Sequence, residues 1–132
     1  MDTHLVKRTW FTKPHSEGSE APQVRLMTYN ILGDGFIQKD EYLYCPEKIR
    51  YLSNRHQRIL QEISYVDPDV LCLQEVSRSH FDGHLKPDLA LKGYHGIHAT
   101  HKKNDNRDGL AIFYKRDTLK LVDQKVSLSY DC

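Results

Sequence analysis

The sequence predicts an α/β protein in which a strand, a helix, a second strand and a second helix are followed by further strands. Residues 69–76 form the most apolar run of the chain and lack polar alternation, which is typical of a strand in the middle of a sheet, covered on both faces. Residues 47–65 repeat apolar side chains at helical spacing. Segments rich in β-forming residues lie before and after these two elements.

The elements follow one another in a simple order. The first predicted helix ends at Asp67-Pro68, and it is interrupted near Ser53-Asn54, because both residues are good N-caps. The second is interrupted by Pro87 and ends at Gly93, a typical C-terminal cap. The predicted strands are residues 24–30, 69–76, 94–100, 109–115 and 119–129, and the predicted helices are residues 47–65 and 77–92.

Size and composition limit what the chain can be. A length of 132 residues allows one domain, and a hydrophobic content of 39% is low for a complete core. Residues 125–132 alternate polar and apolar side chains like an unfinished strand. We therefore expect a polar tail over residues 1–23 and a partial domain, truncated at its C-terminus, over residues 24–132.

Charge and cysteine usage exclude some classes of protein. The 19 basic and 18 acidic residues give a net charge of +1, so the overall electrostatic field does not indicate a nucleic-acid partner. A local basic groove is compatible with this net charge. Cys45, Cys72 and Cys132 show no paired metal-binding spacing, and Cys72 lies inside an apolar strand. We expect a reduced, intracellular protein, in the cytoplasm first, with the nucleus and mitochondrion left open. No apolar run reaches membrane-spanning length.

A polar side chain closes each of the first two predicted strands. Asn30 ends the first, and Glu75 ends the second. Two parallel strands joined by a helix finish at the same edge of a sheet, about 4.8 Å apart if they are neighbours. A carboxylate and an amide at that edge suit Mg²⁺, which uses one or two carboxylates. The alternative is that Glu75 only leaves the core and begins a loop.

Two further metal motifs are weaker. Residues 104–109 resemble the start of a calcium-binding loop, but Lys115 stands where a bidentate Glu is required. His80 and His84 have the spacing of zinc ligands on one helix face, but Gly83 lies between them and no third ligand is nearby in sequence. The favoured interpretation of residues 104–109 is a polar turn, and that of His80 and His84 is a pair of solvent-exposed histidines.

Several ordered motifs resemble those of a known family. They are Tyr29-Asn30-Ile31-Leu32, Arg55 with residues 59–63, residues 69–76, Gly93-Tyr94 and residues 108–115. Between about residues 24 and 122, the chain resembles the endonuclease/exonuclease/phosphatase superfamily, in the branch with carbon-catabolite-repressor-type deadenylases, nocturnin, Angel proteins and 2′-phosphodiesterase.

The resemblance implies the N-terminal half of a four-layer, deoxyribonuclease-I-like α/β sandwich with a Mg²⁺-dependent phosphodiesterase site. Glu75 would bind the metal, and Asn30 would lie near the metal and the scissile phosphate. The implied activity is 3′-5′ exoribonuclease action on RNA, with poly(A) as the leading substrate. Alternatives within the family are 2′,5′-oligoadenylate, cyclic phosphate ends or a dinucleotide 2′-phosphate.

The resemblance also implies weaker substrate contacts and one departure. Arg55 matches the family pattern, although an ion pair from helix to sheet is the favoured interpretation. Lys102, Lys103 and Arg107 would line a substrate groove and contact RNA phosphates, although a solvated charged loop is the favoured interpretation. The family's later active-site groups have no counterpart before Cys132. We therefore expect the chain alone to be nearly inactive, and a non-catalytic product is the alternative to a partial gene sequence.

Overall fold

A computed structural model describes residue 9 and residues 22–37, 41–100 and 109–127. Most of the predicted tail, residues 1–23, therefore lies outside the described residues. The strands are β1 (Leu26–Asn30), β2 (Val70–Gln74), β3 (Tyr94–Thr100) and β4 (Gly109–Lys115). The helices are α1 (Glu47–Arg50), α2 (Leu52–Val66), α3 (Arg78–His80) and α4 (Lys86–Ala90), with a 3₁₀ turn at Asp34–Phe36 and a π-helical turn at Phe81–Leu85.

The four strands form one mixed sheet in the order β1-β2-β4-β3. β1 and β2 are parallel, and their last residues, Asn30 and Gln74, are register partners. β4 runs antiparallel to both β2 and β3. The predicted crossover is confirmed, since α2 connects two parallel neighbours whose carboxyl ends share one edge of the sheet.

One face of the sheet carries the core. Its inward side chains pack with apolar residues of the helices in a single cluster, and the strand members are Met27, Leu71, Leu73, Tyr94, Ala111 and Phe113. On the other face, Leu26, Leu110 and Ile112 are 63%, 57% and 47% exposed. The prediction that β2 is covered on both faces is therefore wrong for the described residues: Val70 and Cys72 are only half-buried, whereas Leu71 and Leu73 on the core face are buried.

The first helical region is interrupted earlier than its sequence indicates. The break lies at Tyr51, between α1 and α2, and not near Ser53-Asn54. The α2 N-cap residue makes no side-chain cap bond. Instead the Asp34 carboxylate accepts a hydrogen bond from the Leu52 amide at 2.7 Å. A cap supplied from 18 residues away replaces the local caps that the sequence offered.

The second helical region is divided, as Pro87 predicted. α3 passes into the π-helical turn, where the Lys86 amide donates to the Phe81 carbonyl, and α4 then begins with Pro87 in its first turn. Proline has no N–H to donate to a carbonyl four residues earlier, so a wider turn is accommodated immediately before it. The prediction that Gly93 is the C-terminal cap of this region is wrong: α4 ends at Ala90 with Leu91 as its C-cap. Gly93, with φ +87°, lies in the turn that leads into β3, where its left-handed conformation suits glycine.

The predicted strand at residues 119–129 is wrong for residues 119–127, which are irregular; residues 128 and 129 lie outside the described residues. Val122 and Val126 are 92% and 59% exposed. Alternation of polar and apolar side chains makes a strand only where a neighbouring strand supplies hydrogen bonds and a core covers one face. Neither is present for this segment in the described structure.

A buried tyrosine connects β3 to the loop before β2. The Tyr94 hydroxyl donates a 2.6 Å hydrogen bond to the Pro68 carbonyl. Burial, with smaller effects from Asp67 and Asp69, raises the pKa of Tyr94 to about 12. The hydroxyl therefore keeps its proton, and the hydrogen bond, throughout the physiological pH range.

No helix among the described residues has both the length and the apolar character required to cross a membrane.

Gly96 is required by the close approach of β3 to the core. A Cβ placed there would lie 2.3 Å from the ring of Phe113, which is fully buried. We predict that Gly96→Ala lowers the free energy of unfolding by about 1 to 3 kcal/mol, since the ring cannot move without displacing its neighbours.

Chemical denaturation of the chain measures this loss, and Gly83→Ala is the matched control. A Cβ at Gly83 meets no atom within 4 Å, and alanine favours helix over glycine. Equal stabilities of the two variants would contradict the proposed packing.

Candidate active site at the carboxyl edge of the parallel strands

Asn30 and Glu75 meet at the shared edge of β1 and β2. The Asn30 amide nitrogen donates a 2.8 Å hydrogen bond to Glu75 Oε1, across 45 residues of sequence. The Gly33 backbone N–H donates to Glu75 Oε2 at 3.1 Å. The predicted convergence is confirmed: both carboxylate oxygens are oriented by donors from the β1 end, and each retains a lone pair for a cation.

The backbone at this edge adopts conformations that are uncommon for residues with side chains. Glu75 has φ +58° and Leu32 has φ +54°, both in the left-handed region. Such residues cost about 1 to 3 kcal/mol each and persist where surrounding contacts fix them. Here the Leu32 N–H donates to Asn30 Oδ1 at 2.9 Å. The Asn30 side chain thus bridges both turns, and the left-handed conformation directs the Glu75 side chain back toward β1.

Arg55 of α2 holds the turn after β1 in place. Its Nη1 and Nη2 donate to the carbonyls of Ile31 and Leu32 at 2.6 and 2.7 Å, and its Nε donates to the Arg50 carbonyl at 2.8 Å. Nη2 also lies 3.6 Å from Asp34 Oδ1. These contacts support the interpretation of Arg55 as a connection from helix to sheet edge. Its role in binding substrate stays a prediction.

Asp34 is a positioning residue that the sequence alone did not identify. Its carboxylate caps α2 and lies beside Arg55, so it fixes the turn against the helix. An Asp between two glycines, shortly after a strand, was the available signal, but it predicted only a turn. Its partners lie 18 and 21 positions away, so no local pattern could reveal them.

The strand neighbouring β2 fixes the residue after Glu75. The Val76 N–H donates to the Gly109 carbonyl at 3.0 Å. His98 Nε2 donates to the Val76 carbonyl at 2.8 Å. Burial lowers the pKa of His98, so the ring is neutral near pH 7 with Nε2 as its donor nitrogen. Glu75 is consequently held from both sides, by β1 and by the β3–β4 pair.

The donor set fits a hard cation only in part. Glu75 offers carboxylate oxygens, which Mg²⁺ prefers, and Mg²⁺ needs only one or two such ligands from protein. The Asn30 oxygen already accepts from Leu32, so Asn30 orients the carboxylate in this arrangement. The described residues contain no group of three or more His, Cys, Asp and Glu side chains placed to hold a metal.

Lys102, Lys103 and Arg107 lie outside the described residues, and their contacts with RNA stay a prediction.

Fold and site together define a mixed α/β domain with an acidic group presented at the carboxyl edge of two parallel strands. The model of the Endonuclease/Exonuclease/phosphatase family matches residues 27–131. The chain therefore belongs to the endonuclease/exonuclease/phosphatase family, as its motifs indicated.

Curated relatives place it near two named groups. The chain is 35% identical over 128 residues to Protein angel homolog 1 of Rattus norvegicus, and this match covers 89% of the chain and 19% of that protein. It is 37% identical over 112 residues to the CCR4-Not complex 3′-5′-exoribonuclease subunit Ccr4 of Neurospora crassa, and this match covers 79% of the chain and 14% of that subunit. The chain thus spans less than a fifth of the length of these relatives.

Solved structures agree with this placement. The crystal structure of ANGEL2, a 2′,3′-cyclic phosphatase, matches with a TM-score of 0.70 and 33% identity, over 76% of this chain and 29% of that one. The human Nocturnin catalytic domain matches with a TM-score of 0.58 and 30% identity, over 76% and 36%. The fold is therefore that of part of an endonuclease/exonuclease/phosphatase domain.

Removal of the Arg55 side chain tests the structural connection. We predict that Arg55→Ala lowers the free energy of unfolding by about 2 to 3 kcal/mol, because two carbonyls of the turn lose charged donors. Arg58→Ala is the matched control, since Arg58 is exposed on the same helix and should change stability by less than about 0.5 kcal/mol. A comparable loss in both variants, measured by urea denaturation, would contradict the specific role of Arg55.

Proposed function

We propose that this chain supplies the Asn30–Glu75 part of a Mg²⁺-dependent phosphodiesterase site that acts on RNA 3′ ends. The proposed reaction is 3′-5′ exoribonucleolytic hydrolysis, with poly(A) as the leading substrate. One observation carries the proposal: the 2.8 Å contact between Asn30 and Glu75 at the end of two parallel strands. It places an oriented carboxylate where open α/β sheets bind ligands.

The roles of the two residues follow from their contacts. Glu75 would hold Mg²⁺ through its carboxylate, and the bound ion would polarise a phosphoryl oxygen and stabilise the charge that develops during attack by water. Asn30 and the Gly33 amide would keep the carboxylate in one orientation, so that little reorganisation is needed. Arg55 and Asp34 would act indirectly, by fixing the turn that carries Gly33.

The relatives support the proposed class of substrate. Ccr4 is named as a 3′-5′-exoribonuclease and is 37% identical over the matched region. Mg²⁺ dependence is supported by the chemistry of Glu75, and an intracellular location by the cysteine usage. Because the chain spans 14% to 20% of the relatives' lengths, the complete activity is proposed for a protein with further active-site groups.

Opening of 2′,3′-cyclic phosphate ends is the second candidate. ANGEL2 has the higher of the two reported TM-scores, 0.70 against 0.58 for Nocturnin, and it has also been crystallised with adenosine-2′,3′-vanadate. Both reactions begin with attack of water on a phosphodiester at an RNA 3′ end. The Asn30–Glu75 arrangement serves either reaction equally. A non-catalytic product is the third alternative, if no longer protein is made.

Metal binding tests the assigned role of Glu75 in the 132-residue chain. We predict that Glu75→Gln weakens Mn²⁺ or Mg²⁺ binding at least about tenfold, because the ion loses a charged ligand, and that Asn30→Ala weakens it about 10-fold or more. Titration calorimetry measures both effects. Glu47→Gln, at the start of α1 and exposed, is the control of equal charge change and should bind as the unchanged chain does. Equal binding by the Glu75 and Glu47 variants would contradict the role of Glu75.

The substrate is tested with the protein made from the complete transcript. That protein should shorten poly(A) in Mg²⁺, and Glu75→Gln should lower kcat about 10²- to 10³-fold. Conversion of cyclic ends to 2′- or 3′-phosphate ends without shortening of the RNA would favour the second candidate. A transcript that stops after Cys132, with an inactive product, would support the non-catalytic alternative.

A further inference from the structure

Three histidines converge beside a cleft on the helical side of the sheet. His56 comes from α2, His80 from α3 and His84 from the π-helical turn. The centres of their rings are 5.1 Å apart for His56 and His80, and 5.4 Å apart for each of the other two pairs. They line a cleft of about 600 Å³ together with Ser53, Gln57, Ser77 and other residues. We call His56, His80 and His84 the histidine cluster.

The sequence predicted exposed histidines, and this is wrong for His80. His80 is 7% exposed and His56 is 6% exposed, whereas His84 is exposed as predicted. The third member could not be seen in the pattern, because His56 lies 24 positions before His80. The crossover from α2 through β2 brings it beside the other two.

Two nitrogens of the cluster are buried without a hydrogen-bond partner. They are His56 Nδ1 and His80 Nε2. An unpaired buried polar atom costs about 1 to 3 kcal/mol, and one of the ordinary explanations is an ion that completes the site. A neutral imidazole has one nitrogen lone pair to offer a metal, and His80 Nε2 is a nitrogen of the cluster that no protein group engages.

The carboxylate of Asp88 fixes the tautomer of the His56 ring. Asp88 Oδ2 lies 2.7 Å from His56 Nε2. When the Nε2–H group donates a hydrogen bond to this carboxylate, the lone pair of the neutral ring lies on Nδ1. Nδ1 is also the nitrogen that lacks a partner. Metal-binding histidines almost always have their second nitrogen held in this way by a carboxylate, carbonyl or water.

We propose that the histidine cluster binds a divalent transition metal of the zinc class, with one nitrogen from each of His56, His80 and His84. Imidazoles bound tetrahedrally to one Zn²⁺, at about 2 Å from nitrogen to metal, have ring centres about 5 Å apart, which agrees with the cluster. The spacing of His80 and His84 is also within the usual range for zinc ligands. Water or a ligand in the cleft would take the fourth position.

Binding requires a small adjustment. The described residues hold no preformed group of three metal ligands, so the rings must turn toward a common point. His84 is exposed and lies at the edge of the cleft, so its side chain can change rotamer at little cost. Nitrogen ligands select zinc-class ions, whereas the Glu75 oxygens select Mg²⁺. The cluster is therefore a second site that does not depend on the proposed function, and a bound ion would connect α2 to α3.

The test is titration of the metal-free 132-residue chain with Zn²⁺, and with Co²⁺ for its visible spectrum. We expect one Zn²⁺ bound per chain at the cluster, a raised Tm, and Co²⁺ absorption typical of four-coordinate nitrogen ligation. His84→Ala should weaken binding at least about tenfold without unfolding the chain, since His84 is exposed. His80→Ala should abolish binding if the variant folds.

Two controls separate this site from others. His95→Ala removes an exposed histidine of β3, whose ring contacts Tyr114 of β4, and should leave Zn²⁺ affinity unchanged. Glu75→Gln should also leave it unchanged, which distinguishes the cluster from the Mg²⁺ site. The proposal is overturned if Zn²⁺ does not bind, if His84→Ala binds as tightly as the unchanged chain, or if His95→Ala weakens binding equally.

Discussion

The hydrogen bond between the Asn30 amide and the Glu75 carboxylate is the contact on which the functional account depends. It exists only because β1 and β2 are parallel neighbours in register, so that two residues 45 positions apart finish at one edge. Parallel pairing in turn requires the α2 crossover, whose apolar side packs on the inner face of the sheet. The buried packing of α2 and the sheet thus has a chemical result: one oriented acidic group at an accessible edge.

That edge is held under local strain. Leu32 and Glu75 both have left-handed backbone conformations, and the surrounding contacts compensate for their cost. Arg55 and Asp34 form the principal support, because one donates to two carbonyls of the turn while the other caps α2. A strained turn fixed in this way presents its amide N–H to Glu75 without further rearrangement. Rigid support of this kind is what a site needs when most of its work is the orientation of charge.

Local patterns predicted most of the fold, because hydrophobic periodicity and turn residues act over short distances. β3 and β4 have their predicted bounds, and Gly93, with its positive φ, lies in the turn that follows the second helical region. The pairing of Asn30 with Glu75 was also predictable, since the handedness of crossovers constrains topology. The remaining features depend on contacts distant in sequence. Asp34 caps α2 from 18 residues away, and residues 119–127 alternate without a strand to pair with.

The most direct test is a crystal structure of this chain grown with Mn²⁺, with the ion located by anomalous scattering. The account predicts an anomalous peak within about 2.0 to 2.3 Å of a Glu75 carboxylate oxygen, with the Asn30 amide still donating to that carboxylate. A peak elsewhere, together with a Glu75 side chain directed away from Asn30, would contradict it.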